Sequence, residues 1–92
     1  MSRHEIVDLR YEITIGWDEQ LQTFFSYVDD PASDDDLIFD VGFLKNDYTD
    51  PLVILLQLEQ WKPGISKNQE LINELIIDKL EGRTNIVRTW II

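Results

Sequence analysis

The 92-residue chain has no cysteine, one histidine and only eight lysines and arginines. Without cysteine there are no disulfides and no thiolate chemistry, and His4 alone cannot form a multi-histidine metal site. The longest strongly apolar run, Leu52–Leu56, is far shorter than the roughly 20 residues that span a bilayer. No apolar segment follows a basic start at the N-terminus, so no signal peptide is expected. We therefore expect a cytoplasmic protein with no membrane span, no metal and no cofactor.

Motifs for catalysis are also missing. The four glycines stand alone at positions 16, 42, 64 and 82, so the chain has no glycine-rich phosphate loop. No serine lies in a nucleophile elbow, and no Cys–His pair exists. Carboxylates are plentiful, but abundance alone does not single out a catalytic pair. We predict no catalytic residue and a non-enzymatic protein, with a small carboxylate-using enzyme or enzyme subunit as the alternative.

Positive charge is scarce, and the net charge is −10. Residues 1–50 contain 13 acidic and 3 basic residues, whereas residues 51–92 contain five of each. Direct binding to nucleic acid is disfavoured, because that affinity comes from lysine and arginine. The charge favours a protein-interaction or regulatory module with a basic partner; an acidic mimic of nucleic acid is a further alternative. Repulsion between carboxylates predicts raised pKa values and a fold that becomes more stable on mild acidification.

The first half of the chain predicts strands. Residues 1–9 show no clear period and are expected to form a loose arm. Apolar residues at every second position from Tyr11 to Trp17 predict a half-buried strand. Residues 21–28 fit either a strand or a short helix, and we favour a hairpin that places Trp17 opposite Leu21. In that register Phe25 shares the apolar face and Phe24 points away from it.

The second half predicts one more strand, two helices and a terminal strand. Residues 37–43 alternate as a strand, and Asp50 followed by Pro51 suits a helix start before an apolar segment, residues 52–58, that could also be a buried strand. Ser66 and Gln69 predict a capping box for a helix that ends at Gly82. Residues 86–92 predict a last strand. The prediction is one α+β domain over residues 1–92: a three-stranded antiparallel meander, two helices on one face and a C-terminal edge strand.

Three groups of residues are candidates for contact with a partner. Phe24 points off the apolar face, one loop is rich in aspartate, and one helix has carboxylates at every fourth position. The spacing of residues 29–40 does not match a calcium loop, which needs a central glycine and a final glutamate. The apolar end of the last strand predicts a homodimer formed through a free sheet edge. The candidates are Phe24, Asp34, Asp35, Asp36, Glu70, Glu74, Asp78, Trp90 and Ile92.

One short segment resembles a known group. The pattern Gly16-Trp17-Asp18, Leu21 and Thr23-Phe24-Phe25 is similar to one found in short uncharacterised bacterial proteins. The similarity covers about ten of the 92 residues. It implies a small sheet-plus-helix domain of prokaryotic origin, and it implies no activity.

Overall fold

The structure is a computed structural model, and it describes residues 1–33 and 37–92. These residues form one five-stranded mixed sheet in the order β4-β3-β2-β1-β5, in which only the β1–β5 pair is parallel. The expected α+β class is confirmed, but the sheet is larger than a three-stranded meander. The elements are β1 (Ser2–Ile6), β2 (Glu12–Asp18), β3 (Thr23–Asp29), β4 (Phe39–Val41), α1 (Pro51–Leu58), α2 (Gln69–Glu81) and β5 (Ile86–Trp90).

Strand β1 is the main element that the sequence pattern concealed. The prediction of a loose arm over residues 1–9 is wrong, because Ser2–Ile6 lies between β2 and β5 in the sheet. Ser2, His4 and Ile6 are buried on the same side of this strand. Two of these three inward residues are polar, so the strand lacks the alternation of apolar and polar residues that identifies a half-buried strand.

The β2–β3 hairpin forms, but its expected register is wrong. Trp17 lies opposite Phe24 rather than Leu21, and the turn contains four residues, 19–22, instead of three. Asp18 shapes this turn, since its carboxylate accepts hydrogen bonds from the backbone N–H groups of Gln20 and Leu21. The shift of three positions is odd, so every side chain of β3 changes face. Phe24 therefore points into the core.

Two of the predicted helix termini agree with the structure, and a third does not. The Asp50 side chain caps α1 by accepting from the backbone N–H of Leu52, and Pro51 is the first helical residue. Gly82 ends α2 in the left-handed conformation, as expected. The predicted cap at Ser66 is wrong: residues 65–67 form a 3₁₀ turn, and Asn68 caps α2 instead. Strands β4 and β5 are also shorter than the predicted 37–43 and 86–92.

One core holds the helices against the sheet. Apolar residues of α1 and α2 pack with the inward residues of β1, β2, β3 and β5 in a single cluster. Trp17 and Phe24 form its aromatic centre, with an edge-to-face contact and ring centroids 4.8 Å apart. The opposite face of the sheet, called the open face below, carries the alternate residues of each strand.

Gly16 allows β1 to approach β2 closely. A β-carbon at Gly16 would lie 2.0 Å from the backbone oxygen of Ser2 and 2.9 Å from the Phe25 ring, which covers the glycine on the open face. No side chain fits there without displacing β1. At Gly64 a β-carbon would have nothing within 4 Å, although the backbone φ is +91°.

Replacing Gly16 with alanine is therefore expected to cost at least about 3 kcal/mol of unfolding free energy, because backbone atoms would overlap. Gly64→Ala is the matched control and should cost no more than about 2 kcal/mol, the strain of a left-handed residue. Urea denaturation of both variants provides the measurement. Equal losses in the two variants would contradict this account of the β1–β2 contact.

Candidate functional site

A histidine, an aspartate and a tryptophan form a hydrogen-bonded chain inside the core. His4 and Asp78 are 0% exposed, and Trp90 is 8% exposed. The indole N–H of Trp90 donates to His4 Nδ1 over 2.9 Å, and His4 Nε2 lies 2.6 Å from Oδ2 of Asp78. An indole nitrogen can only donate, so Nδ1 must accept and Nε2 must carry the proton. These contacts hold His4 as a neutral ring that donates to Asp78.

Asp78 is the acceptor at the end of this chain. Burial by itself would raise the pKa of the Asp78 carboxyl, but hydrogen bonds from His4 and Ser2 and the charge of Arg83 hold that pKa below its ordinary value. The Ser2 hydroxyl also accepts from the backbone N–H of Trp17 over 2.9 Å. The aspartate is therefore ionised, and its buried charge is compensated by donors from β1 and by Arg83.

The His4–Asp78 contact has the form of a catalytic pair, but its position does not suit catalysis. A general base must reach the proton that it removes from a substrate. The second nitrogen of His4 is already bonded to Trp90, and both His4 and Asp78 are closed to solvent. The arrangement instead joins β1, α2 and β5.

The acidic helix face predicted from the sequence is largely neutralised. Asp78 points inward, and Glu74 forms ion pairs with Arg83 at 3.0 Å and with Arg88 at 3.1 Å. Glu70 is exposed in the first turn of α2. Of the three predicted carboxylates, Glu70 alone remains exposed, so this face is not a continuous acidic surface.

The other residues that the sequence predicted to contact a partner do not form one surface. Phe24 is fully buried in the core, so the expectation that it points off the apolar face is wrong. The Trp90 side chain packs in the core, and its indole N–H donates a hydrogen bond to His4. Ile92, beyond the end of β5, is 41% exposed. The loop aspartates lie outside the described residues: Asp34, Asp35 and Asp36.

The open face contains acidic residues that the sequence reasoning did not bring together. Strand register places Glu5 opposite Thr14, Thr14 opposite Tyr27, and Tyr27 opposite Asp40, which forms one row across four strands. In the next row Glu12 of β2 lies opposite Asp29 of β3. The alternation of β2 marked Glu12 and Thr14 as outward-facing, but Glu5 was hidden within the supposed loose arm.

These open-face carboxylates have no ion-pair or hydrogen-bond partners among the described residues. Within residues 1–33 and 37–92, no ion pair or hydrogen bond involves the side chains of Glu5, Glu12, Asp29 or Asp40. Like charges directly opposite each other on neighbouring strands are destabilising. The Glu12–Asp29 pair is such a case, so the open face carries a repulsion that a bound cation would relieve.

A pocket of about 440 Å³ lies at the end of the open face where β1 and β2 separate. Glu5, Glu12, Thr14 and Tyr27 line it, together with Val7 and other residues of the strand ends. Thr14 is only 6% exposed, and its hydroxyl has no hydrogen-bond partner in the described part of the chain. This hydroxyl is not among the buried polar atoms that lack a partner, so solvent reaches it through the pocket.

A second depression, of about 400 Å³, lies beside Asp18, Glu19 and Asn85. Both of its carboxylates already accept hydrogen bonds. Asp18 accepts from the backbone of the hairpin turn, and Glu19 accepts from the Trp17 indole over 2.7 Å. Hydrogen bonding from that indole lowers the pKa of the Glu19 carboxyl. The pocket on the open face is therefore the stronger candidate for a ligand.

The described residues contain neither a cluster of metal ligands nor a membrane-spanning helix. No group of three or more potential metal ligands is brought together there. None of the helices in these parts of the chain has the length and apolar composition needed to cross a bilayer. No protein-family model, no curated protein and no solved structure matches the chain.

The buried network predicts a large stability effect at one position. Asp78→Ala removes the acceptor of His4 and is expected to cost about 3–5 kcal/mol, since it breaks a buried hydrogen-bonded pair. Glu81→Ala on the same helix is the matched control. Its partner Arg83 is partly exposed, so the expected loss is below about 1 kcal/mol. Urea denaturation followed by tryptophan fluorescence measures both, and similar losses would contradict the assigned role of Asp78.

Three other carboxyls share the lowered pKa of Asp78. Hydrogen bonds from backbone N–H groups lower the pKa of Asp8 and of Glu59, and the Trp17 indole does the same for Glu19. A carboxyl of this kind stabilises the fold above its unfolded pKa and loses that contribution as the pH falls through its folded pKa. The direction is opposite to the one expected from charge repulsion.

Acid is therefore expected to weaken the fold. The unfolded values are 3.8 for aspartate and 4.5 for glutamate, so these four groups contribute fully at pH 7 and 5.5. Their contribution should decline below about pH 4.5 and continue to decline through pH 3. Denaturant midpoints at pH 7, 5.5, 4 and 3 provide the measurement. A midpoint that rises steadily from pH 7 to pH 3 would show that repulsion outweighs these hydrogen bonds.

Proposed function

We propose that this protein is a non-enzymatic interaction module that binds a basic protein partner through the open face of its sheet. The observation that carries the proposal is the set of carboxylates on that face without ion pairs among the described residues, above all the directly opposed Glu12 and Asp29. Strand neighbours of like charge cost stability in the free protein. A cationic partner would remove this repulsion, and the free energy that is regained would contribute to binding.

The distribution of paired and unpaired charge supports the choice of surface. On α2 and β5, Arg83 and Arg88 form ion pairs with Glu74, and Arg83 also pairs with Glu81. The open face has Arg3 as a basic residue, and Arg3 makes no ion pair in the described part of the chain. In the described residues, the open-face carboxylates therefore lack the ion pairs that are present on the helical side, and unpaired negative charge accelerates encounter with a positively charged surface.

An extended lysine-rich peptide of about ten residues is a direct probe. We expect it to bind in 50 mM salt, with an affinity that falls clearly at 300 mM because the contacts are ionic. The double variant Glu12→Gln/Asp29→Asn should weaken binding about fivefold, the sum of two exposed ion pairs. Isothermal titration calorimetry measures the affinity, and amide chemical shifts locate the surface.

The matched control is Asp47→Asn/Glu70→Gln. It removes the same two charges from exposed sites away from the open face, so its affinity should stay within twofold of the parent chain. Equal weakening by both double variants would mean that net charge alone attracts the peptide. Shifts confined to α2 would place the partner elsewhere, and either result would contradict the proposal.

A further inference from the structure

Helix α1 is apolar on its solvent side as well as on its core side. Leu52, Val53 and Leu56 are exposed and point away from the sheet. At 3.6 residues per turn they lie within about 100° of one another, opposite the buried residues of the helix. Residues 51–58 include no charged side chain. A helix that is apolar all round is normally buried all round, so the solvent side of α1 has the composition of a buried surface.

Helix α2 continues this apolar surface. Ile76 and Leu80, one turn apart, are exposed and lie between the solvent side of α2 and the side that faces α1. The orientation of α2 follows from two contacts. The Lys79 ammonium group donates to the backbone carbonyl of Thr49, just before α1, over 2.9 Å, whereas Glu74 on the other side of α2 forms an ion pair with β5. The helical patch is defined as Leu52, Val53, Leu56, Ile76 and Leu80.

The helical patch is large enough for a specific interface. From the exposed fractions, its residues present about 500 Å² of apolar surface, which is the size of the largest patch on a typical monomer. Two copies that cover this surface on each other would bury about 1,000 Å², the lower limit for a specific interface. The exposed polar neighbours Gln60 and Asn73 add to that area.

We propose that a second copy of this chain covers the helical patch, so that two copies form a twofold dimer. A twofold axis brings the same surface of both copies together, and that surface must therefore be complementary to itself. Aliphatic side chains meet this condition because they bring no like charges into contact. Leu52 with Leu56, and Ile76 with Leu80, form rows with a spacing of four residues, and such rows pack into the grooves of a facing helix.

Charge argues against a membrane or a highly charged protein as the occupant. The net charge of −10 opposes approach to anionic lipid headgroups. Lys79, next to the patch, already donates to Thr49 and lies 5.8 Å from the centre of the Trp17 ring. Repulsion between two copies is reduced, because the open-face carboxylates lie on the other side of the sheet and charges more than about 10 Å apart are screened at physiological salt.

The dimer leaves the open face of both copies accessible, because the helices cover the opposite side of the sheet. A partner with two basic segments could then bind both copies at once, and its second contact would benefit from a high effective concentration. The helical patch does not include the carboxylates on which the proposed function rests, so the two proposals can fail separately.

Sedimentation velocity of the full chain, from about 5 to 500 µM, measures the oligomeric state. We expect a dimer that dissociates on dilution. Leu56→Glu should weaken dimerisation at least about tenfold, because it buries two like charges in an apolar contact. Val87→Glu is the matched control: it adds the same charge at an exposed aliphatic residue of β5, and its effect should stay within about twofold.

Leu80→Lys provides a second variant if Leu56→Glu folds poorly. It lowers the net negative charge and should still weaken dimerisation at least about fivefold, whereas an effect of net charge alone would strengthen it. Raising the salt from about 50 to 300 mM should strengthen the dimer by screening repulsion. The same change is expected to weaken the lysine-rich peptide, so salt separates the two proposals.

A monomer at the highest concentration, or a dimer that neither patch variant weakens, would overturn the proposed dimer. Loss of the dimer in Val87→Glu alone would also overturn it and would place the contact at the free edge of β5. A monomer that co-sediments with phosphatidylcholine vesicles would make the helical patch a lipid-binding surface instead. Binding of the lysine-rich peptide by a monomer would leave the proposed function standing without the dimer.

Discussion

The hydrogen bonds of His4 connect parts of the chain that are far apart in sequence. Its ring accepts from Trp90 of β5 and donates to Asp78 of α2, while its own strand lies between β2 and β5. The Trp90 donor allows only one neutral tautomer, and the Asp78 charge keeps the Nε2 proton in place. The position of β1, the approach of α2 to the sheet and the inward direction of Trp90 all depend on this arrangement.

The sequence was informative where local chemistry determines structure. Asp50 with Pro51 and the isolated Gly82 marked helix ends that the structure confirms, because caps depend on a few neighbouring residues. It was least informative where polar groups enter the core. The sequence around Ser2 and His4 is typical of a surface segment, and their shared partner Asp78 lies 76 and 74 residues further along the chain.

The predicted register of the β2–β3 hairpin was wrong for a related reason. Alternating apolar residues on β3 fit two registers, and the choice depended on Asp18 forming a four-residue turn. The same error hid the candidate site. Only the observed register brings Asp29 opposite Glu12, and only the discovery of β1 brings Glu5 next to Thr14. The acidic residues themselves were evident from the sequence, whereas their grouping on the open face was not.

The carboxylates of α2 that form ion pairs and the open-face carboxylates without them lie on different faces of this protein. On the helical side, Arg83 and Arg88 form ion pairs with Glu74, and Arg83 also pairs with Glu81. On the open face, the carboxylates of the rows that contain Thr14 and Tyr27 form no ion pairs in the described part of the chain. Hydrogen bonds from the backbone of Tyr11 and from the Trp17 indole stabilise Asp8 and Glu19, respectively, and those groups are not free for a partner.

The place of β1 also has a consequence for how the molecule folds. Ser2 pairs with Ile86 across 84 residues, whereas the β2–β3 hairpin and α2 involve only short separations. Closing so long a loop is entropically costly, and contacts of high sequence separation slow folding. Until β1 docks, the edge of β2 has unpaired backbone groups beside the apolar side chains of Ile13 and Ile15. Conditions that delay this docking should therefore favour aggregation through β2, even though β1 pairs with residues 13–15 of that edge in the native protein.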